Sequence, residues 1–294
     1  MKVLLTGSQG LVGKWMVKTL LDAGHTVRTI DRAAQRSGSD WEHIPGDVRD
    51  IALMRRAVQG MDAVIHAAAI LEEVRGQEDI LYSVNIQGVW NVLIACAEAG
   101  IGRLVNFSSL QALGHSNKRH TALSLPLDDD IPRQPATAYQ TSKYVGEEMC
   151  QVYALHHNMT IASLRPTAIL QPEPEENRWW RSLPDDVLAH HATNDYWSFV
   201  DVRDVCQAAL LCLTAPLEGH QAFLLTSDYT YARIPTVELA QKYYPAFPWL
   251  KVSPEEYTRG NPYRSLINCW KAKQTLGWQP VHSQRQDVLK VFAK

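Results

Sequence analysis

The stretch Val3-Leu4-Leu5-Thr6-Gly7-Ser8-Gln9-Gly10-Leu11-Val12-Gly13 decides the fold of this chain. Its apolar start is typical of a strand buried on both faces. The apolar residues that follow the glycines recur at roughly helical spacing as far as Leu21. Glycine permits the tight turn between the two elements. The stretch therefore predicts a strand, a glycine-rich turn and a helix.

The turn has the spacing GxxGxxG, which points to an anion site. Glycine lets the backbone approach a diphosphate, and the N–H groups at a helix N-terminus favour negative charge. A glycine turn without a ligand is the alternative, but the β-branched run Thr26 to Ile30 completes a βαβ unit. We therefore expect a dinucleotide to contact the turn through Gly7, Gln9, Gly10, Leu11, Val12 and Gly13.

The residue that closes the second strand, Asp31, indicates which dinucleotide binds. A carboxylate at this position accepts hydrogen bonds from the ribose hydroxyls of NAD and repels the 2′-phosphate of NADP. Arg32 and Arg36 follow. They would pair with that phosphate or be solvated loop charges. The sequence predicts NAD as the cofactor and keeps NADP as the alternative.

Strand and helix patterns continue to alternate after this unit. Apolar runs predict strands at Ala63 to His66, Leu104 to Phe107 and Thr160 to Leu164, and longer periodic segments predict helices near Ser83 to Ala99 and from about Ala138 to His157. Alternation of this kind is typical of a parallel sheet covered on both faces. The sequence predicts a doubly wound α/β fold, the Rossmann fold.

The regular alternation stops after Pro166, where prolines interrupt the chain. We expect residues 1–166 to form a dinucleotide-binding domain and residues 167–294 a small, partly interleaved substrate lobe, with about 199–227 returning to the Rossmann sheet. Tryptophans in the lobe would stack on a sugar ring or fill the core of the lobe. They are Trp179, Trp180 and Trp197.

Composition excludes several classes of protein. The 294 residues carry 29 basic and 31 acidic side chains, a formal charge of −2, without a basic run, so we expect no nucleic-acid partner. No apolar segment is long enough for a signal peptide or a membrane span, which predicts a cytoplasmic protein without a membrane partner. The five cysteines are typical of reduced thiols, and His190-His191 lacks ligand spacing, so no metal is expected.

Two candidate reactive groups, Tyr139 and Lys143, lie four residues apart in a predicted helix and so share one face. A free phenol is a poor base, but an adjacent cation and the positive nicotinamide ring stabilise phenolate. Tyr139 could then take a proton from an alcohol. Ser108 and Ser109 end the preceding strand, at the sheet edge where ligands bind, although serines there often form turns.

Together these motifs resemble the extended short-chain dehydrogenase/reductase family, the NAD-dependent epimerase/dehydratase group. The resemblance covers nearly the whole chain. It is carried by the glycine turn, Asp31, Gly46-Asp47-Val48-Arg49-Asp50, His66-Ala67-Ala68-Ala69, Asn85 with Gly88, Phe107-Ser108-Ser109, Tyr139-Gln140-Thr141-Ser142-Lys143, Leu164-Arg165-Pro166, Phe199-Val200-Asp201-Val202 and Leu276-Gly277-Trp278.

The resemblance implies roles for individual residues. Tyr139 would be the acid/base, Lys143 would support it and hold the nicotinamide ribose, and Ser109 would bond the reacting oxygen. Further cofactor contacts are implied for Asp47 and Val48 beside adenine, for Ala67, Ala68 and Ala69 along the cofactor path, for Ser108, and for the backbone after Pro166 at the carboxamide. Asn85 would support a water relay or cap a bend. A homodimer is also implied.

The chain departs from the family pattern beside the reactive hydroxyl. Gly114 selects Ser109 as that hydroxyl by its spacing, but Ala112 and Leu113 replace the usual Val-Tyr pair. Leu110 and Gln111 stand where family dehydratases carry an Asp-Glu pair. This departure is an argument against dehydration.

The short chain favours a small substrate. We expect hydride transfer at a secondary alcohol or ketone carbon of a sugar, sugar acid or similar small hydroxyl compound, an arrangement that resembles uronate dehydrogenases. The alternative is a nucleotide-sugar epimerase with tightly bound NAD, in which Arg233 and Arg264 would clamp a diphosphate or would simply be exposed or locally paired. A cofactor sensor without turnover is least favoured, because the Tyr139 and Lys143 pair is intact.

Overall fold

A computed structural model describes residues 1–34, 40–71, 76–115, 124–173, 177 and 195–291. Within these ranges seven strands form one parallel sheet in the order β3-β2-β1-β4-β5-β6-β9. Its strands are β1 (Lys2–Thr6), β2 (Thr26–Asp31), β3 (Glu42–Pro45), β4 (Ala63–His66), β5 (Arg103–Phe107), β6 (Thr160–Pro166) and β9 (His220–Leu225). The predicted doubly wound α/β fold is confirmed.

The strand order reverses at β1, which pairs with β2 on one side and β4 on the other. Thr6 lies in register with Ile30 on β2 and with His66 on β4, so the carboxyl ends of the three strands reach the same edge of the sheet. Ligands of open α/β sheets bind at such a switch point. The topology therefore places any ligand site of this sheet beside the glycine turn.

Helices cover the sheet, and several begin at a capping residue. Asp50 accepts a hydrogen bond from the backbone N–H of Leu53, and Thr137 accepts one from Gln140, so each satisfies a donor that a helix start leaves open. These helices in the first part of the chain are α1 (Leu11–Asp22), α2 (Ile51–Ala57), α3 (Glu78–Tyr82), α4 (Gly88–Glu98) and α5 (Ala138–His157).

The helix predicted near Ser83 to Ala99 differs in the structure. A π-helical turn, Ser83–Gln87, joins α3 to α4 and makes one helical stretch from Glu78 to Glu98. This is the single stretch in the described ranges that length and composition would allow to cross a membrane, and 56% of its apolar 18-residue window is buried. Val92, Leu93 and Cys96 on α4 lie in the core, so the stretch is a core helix of this fold.

The chain divides into two compact units. The first comprises Met1–Ser108, Thr137–Leu164 and Cys206–Ala222, and the second comprises Ser109–Ala136, Arg165–Val205 and Phe223–Lys294. Each unit is therefore built from three segments of chain rather than divided at one boundary after residue 166. β9 joins the seven-stranded sheet, whereas Phe199–Asp201 does not.

The second unit has its own small sheet and core. β7 (Ala168–Leu170) and β8 (Phe199–Asp201) pair in parallel. Trp197 is 1% exposed and lies in this core, so it fills the unit rather than offering a ring to a sugar. The later helices are α6 (Val202–Cys212), α7 (Thr236–Tyr243), α8 (Pro254–Tyr257), α9 (Trp270–Leu276) and α10 (Arg285–Val291).

Candidate active site

A cleft of about 360 Å³ opens in the first unit at the carboxyl ends of four neighbouring strands. It lies at the switch point of the sheet, where the order of strands reverses. Its lining consists of Gly7, Gln9, Gly10, Ile30, Asp31, Arg32, Ala33, Gly46, Asp47, Val48, Ala67, Ala68, Ala69, Ile70 and Val84.

Two glycines of the turn are required by close backbone contacts. Gly7 has a φ of +75°, and a Cβ there would lie 2.6 Å from the backbone nitrogen of Ala68. A Cβ at Gly13 would lie 2.0 Å from the carbonyl oxygen of Gly7. The third glycine, Gly10, is exposed, and a Cβ there would meet its nearest protein atom at 3.4 Å. Its missing side chain therefore leaves room in the cleft for a ligand.

The start of α1 supplies free donors beside that room. Among the described residues no side chain caps this helix, and its first turn carries no acidic residue. The backbone N–H groups of the first turn, which begins with Leu11 and Val12, thus have no partner within the helix. Their partial positive charge attracts anions. The turn fits the diphosphate of a dinucleotide.

Asp31, the last residue of β2, lies beside the turn. Its carboxylate accepts hydrogen bonds from the backbone N–H groups of Gln9, at 2.9 Å, and Ala33, at 3.0 Å. A carboxylate has about four lone-pair sites, so acceptor capacity remains for hydroxyl groups of a ligand. Arg32 also lines the cleft. Arg36 lies outside the described residues.

Asp47 and Val48, which follow β3, also line the cleft. Arg49 donates to both carboxylate oxygens of Asp47, at 3.0 and 2.7 Å, and this hydrogen bonding lowers the pKa of Asp47. The carbonyl oxygen of Val48 accepts a hydrogen bond of 2.9 Å from Asn91 on α4. A Cβ at Gly88 would lie 2.8 Å from the Val48 side chain, so this glycine lets α4 approach Val48.

Asn85, in the π-helical turn, holds the cleft lining in place. Its carbonyl oxygen accepts from the N–H of Ile70 at 2.8 Å, and its amide donates to the carbonyl oxygen of the same residue at 2.9 Å. The amide also donates to Ser142 on α5 at 3.1 Å. Asn85 therefore fixes the backbone of a lining residue, a role that the sequence pattern did not indicate.

Tyr139 and Lys143 share one face of α5, as predicted. The Nζ atom of Lys143 lies 5.8 Å from the centre of the Tyr139 ring and donates to the carbonyl oxygen of Phe107, at the end of β5, at 2.8 Å. Tyr139 is half-buried and Lys143 is buried. Burial lowers the pKa of Lys143 to about 8, an effect that the carboxylate of Glu147 opposes.

Ser108 faces the interior. Its hydroxyl donates to Oε1 of Glu147 at 2.5 Å, and both side chains are buried. The structure thus places this hydroxyl against a carboxylate of α5 rather than in the lining of the cleft. Glu147 itself was not among the residues that the sequence analysis singled out.

Ser109 begins the second unit, where it caps a 3-10 turn, Leu110–Leu113. Its Oγ accepts a hydrogen bond of 3.2 Å from the N–H of Gln111. Gly114 ends this turn with a φ of +77°, and a Cβ there would lie 2.0 Å from the carbonyl oxygen of Gln134. Glycine is therefore required at that position by the local backbone.

Gln111 contacts a carboxylate, that of Asp195, which the sequence did not indicate. The side-chain amide of Gln111 donates to Oδ1 of Asp195 at 3.0 Å, and burial raises the pKa of Asp195 to about 6. Leu110 is buried. The two polar residues are 84 positions apart, so no local sequence signal connects them.

The backbone after Pro166 and Arg264, both predicted to contact a ligand, form hydrogen bonds within the second unit. The N–H of Thr167, directly after Pro166, donates to the carbonyl oxygen of Leu225 at 3.0 Å. The Arg264 guanidinium stacks on the ring of Tyr257, 4.3 Å from its centre, and donates to the carbonyl oxygen of that tyrosine. Arg233 is exposed. Trp179, Trp180, His190 and His191 lie outside the described residues.

The structure brings most of the predicted cofactor residues together. Gly7, Gln9, Gly10, Asp31, Arg32, Asp47, Val48, Ala67, Ala68 and Ala69 line the cleft. Leu11, Val12, Gly13, Asn85, Ser108, Tyr139 and Lys143 lie elsewhere in the first unit, and Ser109 and Pro166 belong to the second. Five further residues line the cleft without having been predicted as contacts, although each is next to a predicted residue: Ile30, Ala33, Gly46, Ile70 and Val84.

Comparison with known proteins agrees with this geometry. The sequence profile described as "NAD dependent epimerase/dehydratase family" matches residues 3–225, about three quarters of the chain. The chain belongs to the NAD dependent epimerase/dehydratase family. It is an NAD-dependent enzyme of that family.

Individual members of the family differ in the reaction that they catalyse. The chain is 26% identical to a UDP-glucose 4-epimerase of Corynebacterium glutamicum over 98% of its own length and 94% of the relative. It is 32% identical to a uronate dehydrogenase of Pseudomonas syringae pv. tomato over 63% of its own length and 66% of the relative. These similarities leave the substrate and net reaction open.

A solved structure shares the fold. A short-chain dehydrogenase/reductase superfamily protein from Agrobacterium tumefaciens, crystallised with bound NAD, superposes with a TM-score of 0.75 and 22% sequence identity. The likeness covers 99% of this chain and 96% of that one. At this level of sequence identity, the structural similarity shows that the two proteins share a fold.

Substitution of Gly13 tests the turn. Gly13→Ala would force a Cβ against the carbonyl oxygen of Gly7, so we expect a loss of about 3 kcal/mol in the free energy of unfolding and weaker dinucleotide binding. Gly102→Ala is the matched control, because a Cβ there meets no atom within 4 Å. Urea unfolding of both variants measures the difference, and equal stabilities would contradict the contact.

Proposed function

We propose that this family member is an NAD-dependent oxidoreductase that transfers hydride at a secondary alcohol or ketone carbon of a sugar, sugar acid or similar small hydroxyl compound. The observation that carries the proposal is the placement of Lys143. Its buried ammonium donates to the carbonyl oxygen of Phe107 and lies 5.8 Å from the centre of the Tyr139 ring, in the same unit as the dinucleotide cleft. This is the arrangement that an acid/base phenol requires.

The cleft residues favour NAD over NADP. The donors of the glycine turn and α1 fit a diphosphate, and the Asp31 carboxylate lies between the backbone of Gln9 and that of Ala33. A 2′-phosphate beside this carboxylate would be repelled, whereas two ribose hydroxyls would donate to it. Arg32 is the single described cation in the lining and is exposed.

The chemistry is divided between the cofactor and the side chains. When bound, NAD supplies the hydride acceptor for oxidation, or the donor for reduction in its reduced form. Tyr139 takes the hydroxyl proton of the substrate during oxidation and returns it during reduction. The ammonium of Lys143 stabilises the phenolate that this role requires. Ser109 would hold the reacting oxygen by a hydrogen bond.

The named relatives support two substrate classes. The uronate dehydrogenase supports oxidation of a sugar or sugar acid, in keeping with the short segment between Pro166 and Phe199. The UDP-glucose 4-epimerase aligns over nearly the whole chain and favours the alternative, epimerisation of a nucleotide sugar. The Arg264 guanidinium, which would serve a diphosphate in that reaction, is already bonded to Tyr257. We therefore favour the smaller substrate.

An absorbance assay distinguishes these reactions. We expect purified protein, incubated with NAD and a panel of sugars and sugar acids, to accumulate NADH, which is measured by its absorbance. An epimerase would instead retain tightly bound cofactor and show no net absorbance change, although its sugar product would differ by chromatography. A cofactor sensor would bind NAD and convert none of the panel.

The role of the phenol is tested by Tyr139→Phe. We expect kcat to fall by about 100-fold or more, because acid/base catalysis contributes at least that factor, while the Kd for NAD stays nearly unchanged. Tyr144→Phe removes a hydroxyl from the same helix and should keep full activity. If Tyr139→Phe retained wild-type turnover, the assignment of Tyr139 would be wrong.

Cofactor preference is tested by Asp31→Ala. Removal of the carboxylate should reduce the ratio of kcat/KM for NAD to that for NADP by about tenfold, equal to about 1.4 kcal/mol of discrimination. Asp22→Ala, which removes the same charge from the exposed end of α1, should leave the ratio unchanged. An unchanged ratio in Asp31→Ala would refute the proposed selection against the 2′-phosphate.

We further propose that the protein is a homodimer through α4 and α5. These neighbouring helices expose apolar side chains, with Leu155 at 80%, Val152 at 48% and Trp90 at 42%, and the Trp90 ring meets Tyr153 edge to face at 5.4 Å. Exposed apolar patches of this kind mark protein interfaces. A two-fold axis would pair the same two helices of both copies.

Mass measurement by light scattering tests the dimer. Wild type should elute as a species of twice the chain mass, and Leu155→Glu should elute as a monomer because it places a charge in the apolar patch. Leu250→Glu is the control, since this leucine is also 70% exposed but lies in the second unit. A monomeric wild type would exclude the proposal.

A further inference from the structure

A buried acid, Glu147, lies one helical turn beyond Lys143 on α5. Its side chain has no exposure, and its Oε1 accepts a hydrogen bond from the hydroxyl of Ser108 at 2.5 Å. Burying a carboxylate is costly unless hydrogen bonds or an opposite charge compensate it. The position therefore calls for an explanation beyond packing.

Two residues at the end of β5 form hydrogen bonds with the two charged side chains on this face of α5. The carbonyl oxygen of Phe107 accepts from Lys143, and the next residue, Ser108, donates to Glu147. Tyr139, Lys143 and Glu147 are spaced four residues apart, so they follow one another along one face of α5. The last residue of β5 and the residue that follows it thus fix an ammonium and a carboxylate one helical turn apart.

Other titratable groups lie buried near Lys143 and Glu147, and burial favours the neutral form of each. Burial, together with the charge of Lys143, lowers the pKa of His66 on β4 to about 3. Burial raises the pKa of Cys150 on α5, and it raises that of Cys96 on α4 to about 12. Of the described groups that interact electrostatically with Lys143, Glu147 is the one with opposite charge, and it raises the pKa of the lysine.

We propose that Glu147, oriented by Ser108, is a positioning residue that keeps Lys143 charged over the working pH range and so sustains the acid/base function of Tyr139. This inference rests on the proposed hydride-transfer function. Without the carboxylate, the buried ammonium would lose its proton at lower pH, and the phenolate would lose its stabilising charge. Glu147 would touch neither the substrate nor the cofactor.

The pH profile of activity tests the proposal. The alkaline limb of kcat/KM for NAD reduction should move down by about one pH unit in Glu147→Gln, a tenfold change in the ionisation constant of Lys143. Ser108→Ala should shift it in the same direction by less, because the carboxylate loses one donor. The double variant should shift no further than Glu147→Gln. Glu148→Gln removes the adjacent charge on α5 and should leave the profile in place.

Unfolding of the protein without cofactor or substrate gives a second test. The pKa of Lys143 is lower in the fold than its usual 10.5, so stability should rise with pH from about 8 to 10.5, where the unfolded chain binds more protons. In Glu147→Gln this rise should begin about one pH unit lower, and Lys143→Met should abolish it in both backgrounds. Urea midpoints between pH 6 and 10.5 measure the onset.

The outcomes separate the two proposals. If wild type turned over no substrate, the proposed function would fail, while the unfolding onset would still decide the role of Glu147. A merely structural Glu147 would lower stability equally at every pH and leave both onset and alkaline limb unshifted, which would overturn the inference. Equal shifts in Glu148→Gln would do the same. Ser108→Ala decides the matter if Glu147→Gln does not fold.

Discussion

The contact between the backbone of Gly7 and the position of Gly13 sets the geometry on which the cofactor cleft depends. Because no side chain separates them, the start of α1 lies directly against the end of β1. The donors of the helix then meet the same sheet edge as the carboxylate of Asp31, which accepts from the N–H of Gln9. A displacement of α1 by the width of one methyl group would move the N–H groups at its start relative to the Asp31 carboxylate.

On α5, burial changes the chemical properties of a charged side chain, Lys143. Hydrophobic residues around α5 exclude water from Lys143, which makes its charge costly, and polar groups at the end of β5 compensate that cost. The low dielectric environment also strengthens the interaction between the ammonium and a neighbouring phenolate. Removal of water therefore makes the lysine both less easily charged and more effective when charged.

Local signals predicted much of this architecture. The predicted bounds match the structure for one strand, Ala63–His66, and one helix, Ala138–His157. An unbroken apolar run is typical of a buried strand, and a capped segment with helical periodicity is typical of a helix. Most of the cleft lining followed from residues at strand ends. The π-helical turn was missed, since it exists where Asn85 reaches Ile70, a contact between separate elements.

Long-range contacts also account for the remaining differences. Asp195 meets Gln111 only in the folded chain, and the hydrogen bond to Glu147 comes from Ser108, 39 positions earlier. Residues Ser109–Ala136 belong to the second unit although they precede α5. A local pattern carries no information on which distant segment will pack beside it, so these features required the structure.

The position of β9 late in the sequence means that the sheet cannot be completed early in synthesis. This strand closes the sheet beside β6, yet it begins at His220, long after the glycine turn, Asp31 and Tyr139 have been synthesised. An N-terminal fragment ending near Pro166 would present β6 as an open edge, with unpaired N–H and C=O groups that invite aggregation. The nascent chain thus carries an incomplete sheet until three quarters of it has left the ribosome.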